Sequence, residues 1–563
     1  MTVLQGHLDV NKPSRVKNPT QGIMSTLHLF LAICLLFLLL LPARGSSHCQ
    51  LFPKSTCEQH TAFVPGHNLA GEGIDITTLA RKGAYLLDTS QWQLPNGTCT
   101  LCQNPLMDGQ LQRLPLAGVD WRVRVSCYRQ ESGSVEHSDV DVAKAVAGEV
   151  NNDWKINLGL PKELESILKV HVAFAGSQSQ LAIYAHKKAQ QDRYSFVRHE
   201  VSCVYYRLRL LGRPSLLTPH FSHDVGNLPS KYDSQEYQHI IDTYGTHYIS
   251  QVQLGGKVLN TLAIRTCKAA LAGITDFDIK ACLTMNTSVG PDLLLQSLRA
   301  KCHEMWRGQA KGNFWDAYGQ RRTDVVGGDS QAEILFSQVG NSLLFSEWME
   351  TLKIRPGVVS YSLLPIHTLI ARSDPKREVL RQAVRDYIAQ RALWRNCTQQ
   401  CPSGSYKSST DPCMCVCQDE SISDAMCCAR ERGIAHLTVQ VQNGADLWAD
   451  SFSATDAYVK VFFRGRELKT KTIHNTNEPL WSETLDFGPV VLTGLDYIKV
   501  EVWDNDVRYD DLLATCYELL IAGPTKSLNC YPKYGYVRYS YEVRCGPSLG
   551  GKSCQKYVPQ KPF

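Results

Sequence analysis

Four aspartates, Asp504, Asp506, Asp510 and Asp511, fall within eight residues of the stretch EVWDNDVRYDDLL, in a chain of 563 residues with a formal net charge of +5. Carboxylates crowded this closely repel one another unless a cation sits among them. A second stretch, LWADSFSATDAYV, adds Asp450 and Asp456 just before an apolar alternating run. Hard carboxylate oxygens from two loops suit calcium, which takes about six to eight oxygen ligands; solvated surface aspartates are the competing reading. Crowding also predicts that some of these carboxyls have raised pKa values without calcium, so that acid weakens calcium binding. Beside them Trp448, Phe452, Trp503 and Tyr509 are candidates for contact with lipid headgroups, with core packing as the alternative.

Such loops need rigid elements behind them. From Ala435 onward HLTVQV, AYVKVFF, YIKVEVW and YVRYSYEV alternate apolar and polar residues between polar turns, which predicts an antiparallel sandwich. Upstream, Asp374 as N-cap, Pro375 at the first helical position and the face of Val379, Leu380, Ala383, Val384, Tyr387 and Ile388 predict a packed helix. Between the two, CTQQCPSGSYKSSTDPCMCVCQDESISDAMCC is too short and polar for a hydrophobic core, so disulfides must hold it. Zinc is the weaker alternative, because paired CxxC spacing is absent. Grouped along the chain, the cysteines leave three at Cys267, Cys282 and Cys302 and seven between Cys397 and Cys428. If pairing is otherwise local, one bridge must tie these two odd groups together.

The apolar run Leu27–Leu41, followed by Ala43 and Gly45, reads as a secretory signal over residues 1–45, with Met24 as an internal candidate start and a signal anchor as the alternative. With Cys34 in that segment, twenty of the 21 cysteines remain, an even number suited to an oxidising compartment. Asn96, Asn286 and Asn396 open glycosylation sequons. No long Lys/Arg tract points to nucleic acid. Enzyme motifs fail on context. GPSLG lies in a terminal loop between Cys545 and Cys554, and HEVSC and HEMWR lack a second zinc-ligating histidine. His247, within YGTHY, has no nucleophile or carboxylate motif beside it and reads as structural, while Gly255 and Gly256 permit a bend or bulge in a strand.

Two resemblances follow from these motifs. Asp450, Asp456, NEPLWSE and WDNDVRYDD resemble the C2 family of calcium-dependent phospholipid-binding domains. That likeness implies Asp450, Asp456, Asp504, Asp506 and Asp511 as calcium ligands, with Asp510 as a sixth; the interval from Asp506 to Asp511 is one residue shorter than in perforin-like members. The stretch DTYGTHYISQVQLGGKV, with Tyr244, Gly245, Thr246, His247, Gly255 and Gly256, together with LAGEGIDIT, TCTLC, NDWK, QDRYSF and DVVGGD, resembles the membrane-attack-complex/perforin (MACPF) family within the MACPF/cholesterol-dependent cytolysin superfamily. The implied fold is α+β. A MACPF domain over 46–395 has a bent, twisted antiparallel sheet flanked by helical clusters; an EGF-like module over 396–432 and an all-β C2 sandwich with a tail over 433–563 follow. The resemblance also implies bridges Cys267–Cys428, Cys397–Cys413, Cys401–Cys415 and Cys417–Cys427.

What the likeness implies for function is a secreted, calcium-dependent cytolysin. It would dock on phospholipid, form a homo-oligomeric ring or arc, and unfurl two helical regions, within about 135–195 and 270–322, into β-hairpins of a barrel. Storage in acidic cytotoxic granules and passage of granule proteases belong to the same expectation. A non-lytic calcium-dependent membrane-binding or adhesion protein is the alternative. The first region can be read with two periods: Ala143, Val146, Ala147, Val150 and Trp154 make a helical stripe, whereas Val140, Val142, Val146, Val150 and Trp154 make a strand face interrupted by Lys144, Gly148 and Asn152. In the second, Arg299, Lys301, Arg307 and Lys311 would face a lumen, and a glycan on Asn286 would oppose insertion.

Overall fold

The computed structural model describes residues 49–560 except 132–134, 149, 151, 161–169, 173–174, 276–318, 330–341, 392, 397–399, 402–404, 410–413, 418–420 and 450–452. Long strands dominate its first part. Strand β1 (Gly118–Glu131) pairs with β2 (Tyr194–Leu210), which pairs with β3 (His247–Arg265). The other edge of β3 is shared by β4 (Gly319–Val326) along its second half and β5 (Gly357–Pro365) along its first. All these ladders are antiparallel.

A strand as long as β3, at 19 residues, needs a device for bending within a packed domain. The ladders shift register at one level: between Val123 and Ser126 in β1, Val204 and Tyr206 in β2, and Val358 and Ser360 in β5, all opposite Leu254 and Gly255 of β3 or its neighbours. Glycine is required there. A Cβ on Gly255 would lie 1.9 Å from the Cys203 carbonyl oxygen, and one on Gly256 would lie 2.5 Å from the Trp348 ring. The glycine pair in the sequence thus marks a steric constraint, with extra residues in the neighbouring strands supplying the curvature.

Helices α1 (Asp139–Gly148) and α2 (Gln180–Ala189) lie between β1 and β2 in the chain and pack on the second half of β3. Val142, Val146, Leu181 and Ala185 form one apolar cluster with Tyr194, Phe196, Leu259 and Ala263. The long stripe predicted through Trp154 is broken. Helix α1 ends at Gly148, a poor helix former, and Val150 and Trp154 instead join the main core beyond it. Helix α3 (Ser234–Tyr244) starts on Asp233, whose carboxylate accepts the Gln235 and Glu236 amides. Helix α4 (Ser342–Thr351) brings Trp348 over the bend. In α5 (Lys376–Arg391), Asp374 accepts the Lys376 amide at 3.0 Å, and Leu380, Ala383, Val384, Tyr387 and Ile388 are buried.

The last part is a sandwich of two four-stranded sheets. Strands β6 (Ile434–Ala445), β7 (Ala457–Phe463), β8 (Arg466–Lys469), β9 (Leu480–Val491), β10 (Tyr497–Asp504), β11 (Asp511–Leu519), β12 (Gly523–Cys530) and β13 (Tyr536–Cys545) order as β9-β6-β13-β12 and β8-β7-β10-β11. Alternate residues such as Val439, Val441, Val459, Val461, Val500 and Val502 meet between them.

Bridges Cys401–Cys415 and Cys417–Cys427 hold the small segment, and Cys267–Cys428 ties it to the end of β3. Cys397 and Cys413 lie outside the described residues. The α+β architecture, with a bent antiparallel sheet, is the one the family resemblance implies, and the all-β sandwich is the one the alternating runs predict.

Gly255→Ala would drive a methyl group into a backbone carbonyl and should destabilise the first domain by about 3 kcal/mol. Gly256→Ala meets only side-chain atoms, of the buried Trp348 ring and Leu352, so relieving it takes side-chain repacking and no backbone shift. Calorimetry should therefore show the larger drop in melting temperature for Gly255→Ala.

Candidate functional site

The acidic loops meet at one end of the sandwich because of strand register. Asp504 closes β10, lying opposite Ala457 in β7 on one side and Asp511 in β11 on the other, and Asp456 directly precedes Ala457. Three neighbouring strands thus deliver carboxylates to one edge. Asp504 is 3% exposed, and its Oδ1 accepts the Asp456 amide at 2.6 Å. Asp456 in turn accepts the Asn475 amide at 2.6 Å and lies 3.1 Å from His474 Nδ1. Asp510 accepts the Tyr458 hydroxyl at 2.7 Å and the Asn505 amide group at 3.1 Å. Asp506 and Asp511 are exposed, and Asp450 lies outside the described residues.

At Asp456 and Asp510 these contacts act opposite to the expected effect of crowding. The Asn475 amide and then His474 lower the Asp456 pKa, while the Tyr458 hydroxyl leads in lowering that of Asp510, helped by the Asp506 amide and Asn505. Donors rather than carboxylates face these two oxygen pairs, so crowding does not raise them. Tyr458 is pushed up, first by burial and then by its bond to Asp510. Among the described residues no group of three or more acidic, histidine or cysteine side chains gathers closely enough to hold a metal. The aspartates at this edge offer hard carboxylate oxygens, which fit calcium and not a soft metal.

The aromatic candidates separate. Trp448 and Tyr509 are 55% and 86% exposed at this end. Trp503 is not at the tip. Its indole stacks on Tyr458 with centroids 6.5 Å apart, its N–H donates to Glu501 at 3.0 Å, and the Lys460 ammonium lies 4.6 Å from its ring centre. Phe452 lies outside the described residues. Val507, fully exposed between Asp506 and Tyr509, escaped the sequence reading. Its signal was an aliphatic residue stranded inside an acidic loop.

A second constellation sits at the start of β3. The Tyr244 hydroxyl donates to Asp224 at 2.6 Å, and Gly245 turns out of α3 with φ 79°, where a Cβ would lie 2.4 Å from the Ile74 carbonyl oxygen. Thr246 Oγ1 accepts the Ile76 amide at 2.9 Å. His247 is fully buried, with Nδ1 2.8 Å from Thr246 Oγ1 and Nε2 2.8 Å from the Trp154 carbonyl oxygen. A carbonyl only accepts, so the proton belongs on Nε2. Burial pushes the imidazole pKa down to about 4. Three motifs far apart in sequence, around Ile74, Trp154 and His247, meet in this latch. Gly255 and Gly256 belong to the bend nine residues along β3. Asn96 is exposed in a turn closed by Thr98, and Asn396 ends a short strand paired with Val170; Asn286 lies outside the described residues.

A bent sheet clasped by helices, followed in one chain by a sandwich with acidic loops, defines a MACPF-type protein carrying a C2 domain. A MAC/Perforin domain matches residues 64–396, and a C2 domain matches 435–520. The chain belongs to the MAC/Perforin family. It is 41% identical over 522 residues to Perforin-1 of Homo sapiens, spanning 91% of this chain and 93% of that protein. Perforin-1 of Rattus norvegicus is 40% identical across 93% of this chain and 95% of its own, and that of Mus musculus 39% across 94% and 97%.

The latch makes a pH prediction. Because the folded His247 pKa lies below the unfolded value of about 6.5, the unfolded chain takes up the proton first as pH falls. Stability is therefore full above about pH 6.5 and declines toward pH 4, by on the order of 3 kcal/mol from this group. Thermal melts across that window should show a shallower decline for His247→Gln than for the parent.

Proposed function

We infer that this is a pore-forming cytolytic protein that reaches membranes through its C2 domain. The observation that carries the reading is the MAC/Perforin match followed in the same chain by the C2 match, with Perforin-1 relatives aligned along more than nine-tenths of their length. Calcium held by Asp450, Asp456, Asp504, Asp506 and Asp511 would neutralise the acidic edge and attract phosphate headgroups. Asp510, with both oxygens engaged by Tyr458 and Asn505, is the positioning residue of the set. Trp448, Val507 and Tyr509 then enter the headgroup layer.

Topology favours the hairpin step. Helices α1 and α2 connect β1 to β2, two strands already paired antiparallel, so refolding that connection as strands extends an existing ladder. The second region, about 270–322, covers most of the connection from β3 to β4, also an antiparallel pair; most of that connection lies outside the described residues. Neighbouring copies must complete the barrel, since hydrocarbon leaves no partner for an unpaired backbone edge. No described helix is long and apolar enough to cross a membrane, a statement that leaves strands open. The proposal extends to a cleaved signal over 1–45, an EGF-like module over 396–432, storage in acidic cytotoxic granules, oligomerisation in phospholipid and passage of granule proteases. Asn286 is then unglycosylated or outside the spanning strands.

Dye release from phosphatidylcholine/phosphatidylserine vesicles should require calcium and be abolished in Asp504→Ala/Asp506→Ala. Calcium-dependent binding without release in the parent would instead indicate a non-lytic membrane binder. Between the two last aspartates, Asp511→Asn should abolish calcium-dependent vesicle binding, whereas Asp510→Asn should weaken it about tenfold. The reverse order in a calcium titration would exchange their roles.

A further inference from the structure

A cleft of about 450 Å³ lies between the Asn157 turn and the start of α5, lined by Asn157, Gly159, His367, Arg377, Glu378 and Arg381. A neighbouring cleft shares Asn157, Arg377 and Glu378 with it and is lined by Arg372 in the turn before α5. Its size is that of a small-molecule site. His367 is 1% exposed, and neither of its ring nitrogens has a hydrogen-bond partner. A neutral imidazole carries one donor and one acceptor, and leaving both buried and unmade is costly. This residue therefore points to a missing ligand.

The charges around it give the sign of that ligand. Arg381 is already committed: Nη1 donates to the Asn157 and Leu158 carbonyls at 3.1 Å, and Nε donates to both Glu378 oxygens at 2.9 Å. Glu378 is thereby neutralised. Arg377 uses Nη1 on the Thr368 and Ile370 carbonyls, and among the described residues nothing else engages its remaining donors. Arg372 is exposed at the mouth, and Asp374 beside it is occupied in capping the Lys376 amide. Asn157 holds φ 57°, an uncommon conformation for a residue with a side chain, which brings its carbonyl to Arg381.

We propose that this cleft binds an oxyanion of the phosphate or sulfate class, held by Arg377, Arg372 and the His367 imidazole. A doubly charged oxyanion matches the guanidinium fork and supplies the acceptor that His367 lacks. Its natural source is either a free phosphorylated small molecule or a phospholipid headgroup. Bound there, it would brace the turn carrying Trp154, whose carbonyl holds His247, against α5. This site is independent of the acidic loops and of calcium.

The groups facing His367 also set a pH response. Burial first, and then Arg377 and Arg381, push the His367 imidazole down to about 4, Glu378 opposes them, and His247 lies near enough to be affected by its charge. An anion in the cleft would favour the imidazolium, so affinity should rise as pH falls. Sulfate is the probe for this, because its own charge is constant from pH 7.5 to 5.

The test is calorimetric titration of the full chain with sulfate at fixed ionic strength, without calcium. One saturable site is expected, tightening from pH 7.5 to 5, with affinity lost about tenfold in Arg377→Ala and in Arg372→Ala. Arg372→Ala guards against misfolding, because among the described residues no structural hydrogen bond depends on that exposed side chain; its melting temperature should match the parent. No saturable binding beyond that of chloride, or equal affinity in parent and both variants, would overturn the proposal. Competition by inorganic phosphate against glycerophosphoserine assigns the source: tighter phosphate indicates a free ligand, tighter glycerophosphoserine a headgroup.

Discussion

The contact on which the rest of this structure depends is the close approach of β3 to β2 at Gly255, where the Cys203 carbonyl occupies the space a Cβ would need. At this level three ladders change register together, and the sheet bends. The bend divides β3 into a half packed with α3, α5 and the main core and a half covered by α1 and α2. Trp348 and Leu352 fill the space left by Gly256. Without that division, one sheet could not combine a large core on one half with a separate helical cover on the other.

The two halves differ in how they are held. In the first, Tyr387 donates to buried Asp75 at 2.7 Å, while His247 joins Thr246 to the Trp154 carbonyl, both inside the apolar core. Polar networks satisfied in low dielectric specify one arrangement strongly. The helices on the second half rest on a smaller apolar cluster, with His186 paired to Asp139 at 2.8 Å as an added link. Fewer buried contacts mean a lower cost of local opening. Among the described residues, that difference leaves α1 and α2 less deeply held than the elements of the main core.

At the other end, the sandwich turns a sequence cluster into a surface. Register across β7, β10 and β11 assembles the acidic edge, and loop donors such as Asn475, Tyr458 and Asn505 orient its carboxylates. Tyr458 and Asn505 lie within the two acidic stretches and Asn475 outside them, and their role as donors shows only in the fold. The lowered pKa values of Asp456 and Asp510 follow from them, and neighbouring-charge counting along the chain pointed the other way.

The sequence by itself determined the parts governed by local periodicity and residue chemistry. Alternation marked the strands of the sandwich, Asp374 and Pro375 marked the start of α5, the glycine pair marked the bend, and clustered aspartates marked an acidic edge. It also implied, through odd cysteine counts, a covalent tie between the β3 region and the small module, which the structure assigns to Cys267 and Cys428. Only the tertiary structure decided which distant groups meet: Trp154 with His247, Tyr458 with Asp510, the Asn157 turn with Arg381. It also ended α1 at Gly148, where an unbroken stripe was legible, and laid Trp503 along a sheet face. The physical reason is that periodicity reports which face of an element is apolar, whereas partners are selected by register, bulges and close packing, none of which any local window of sequence contains.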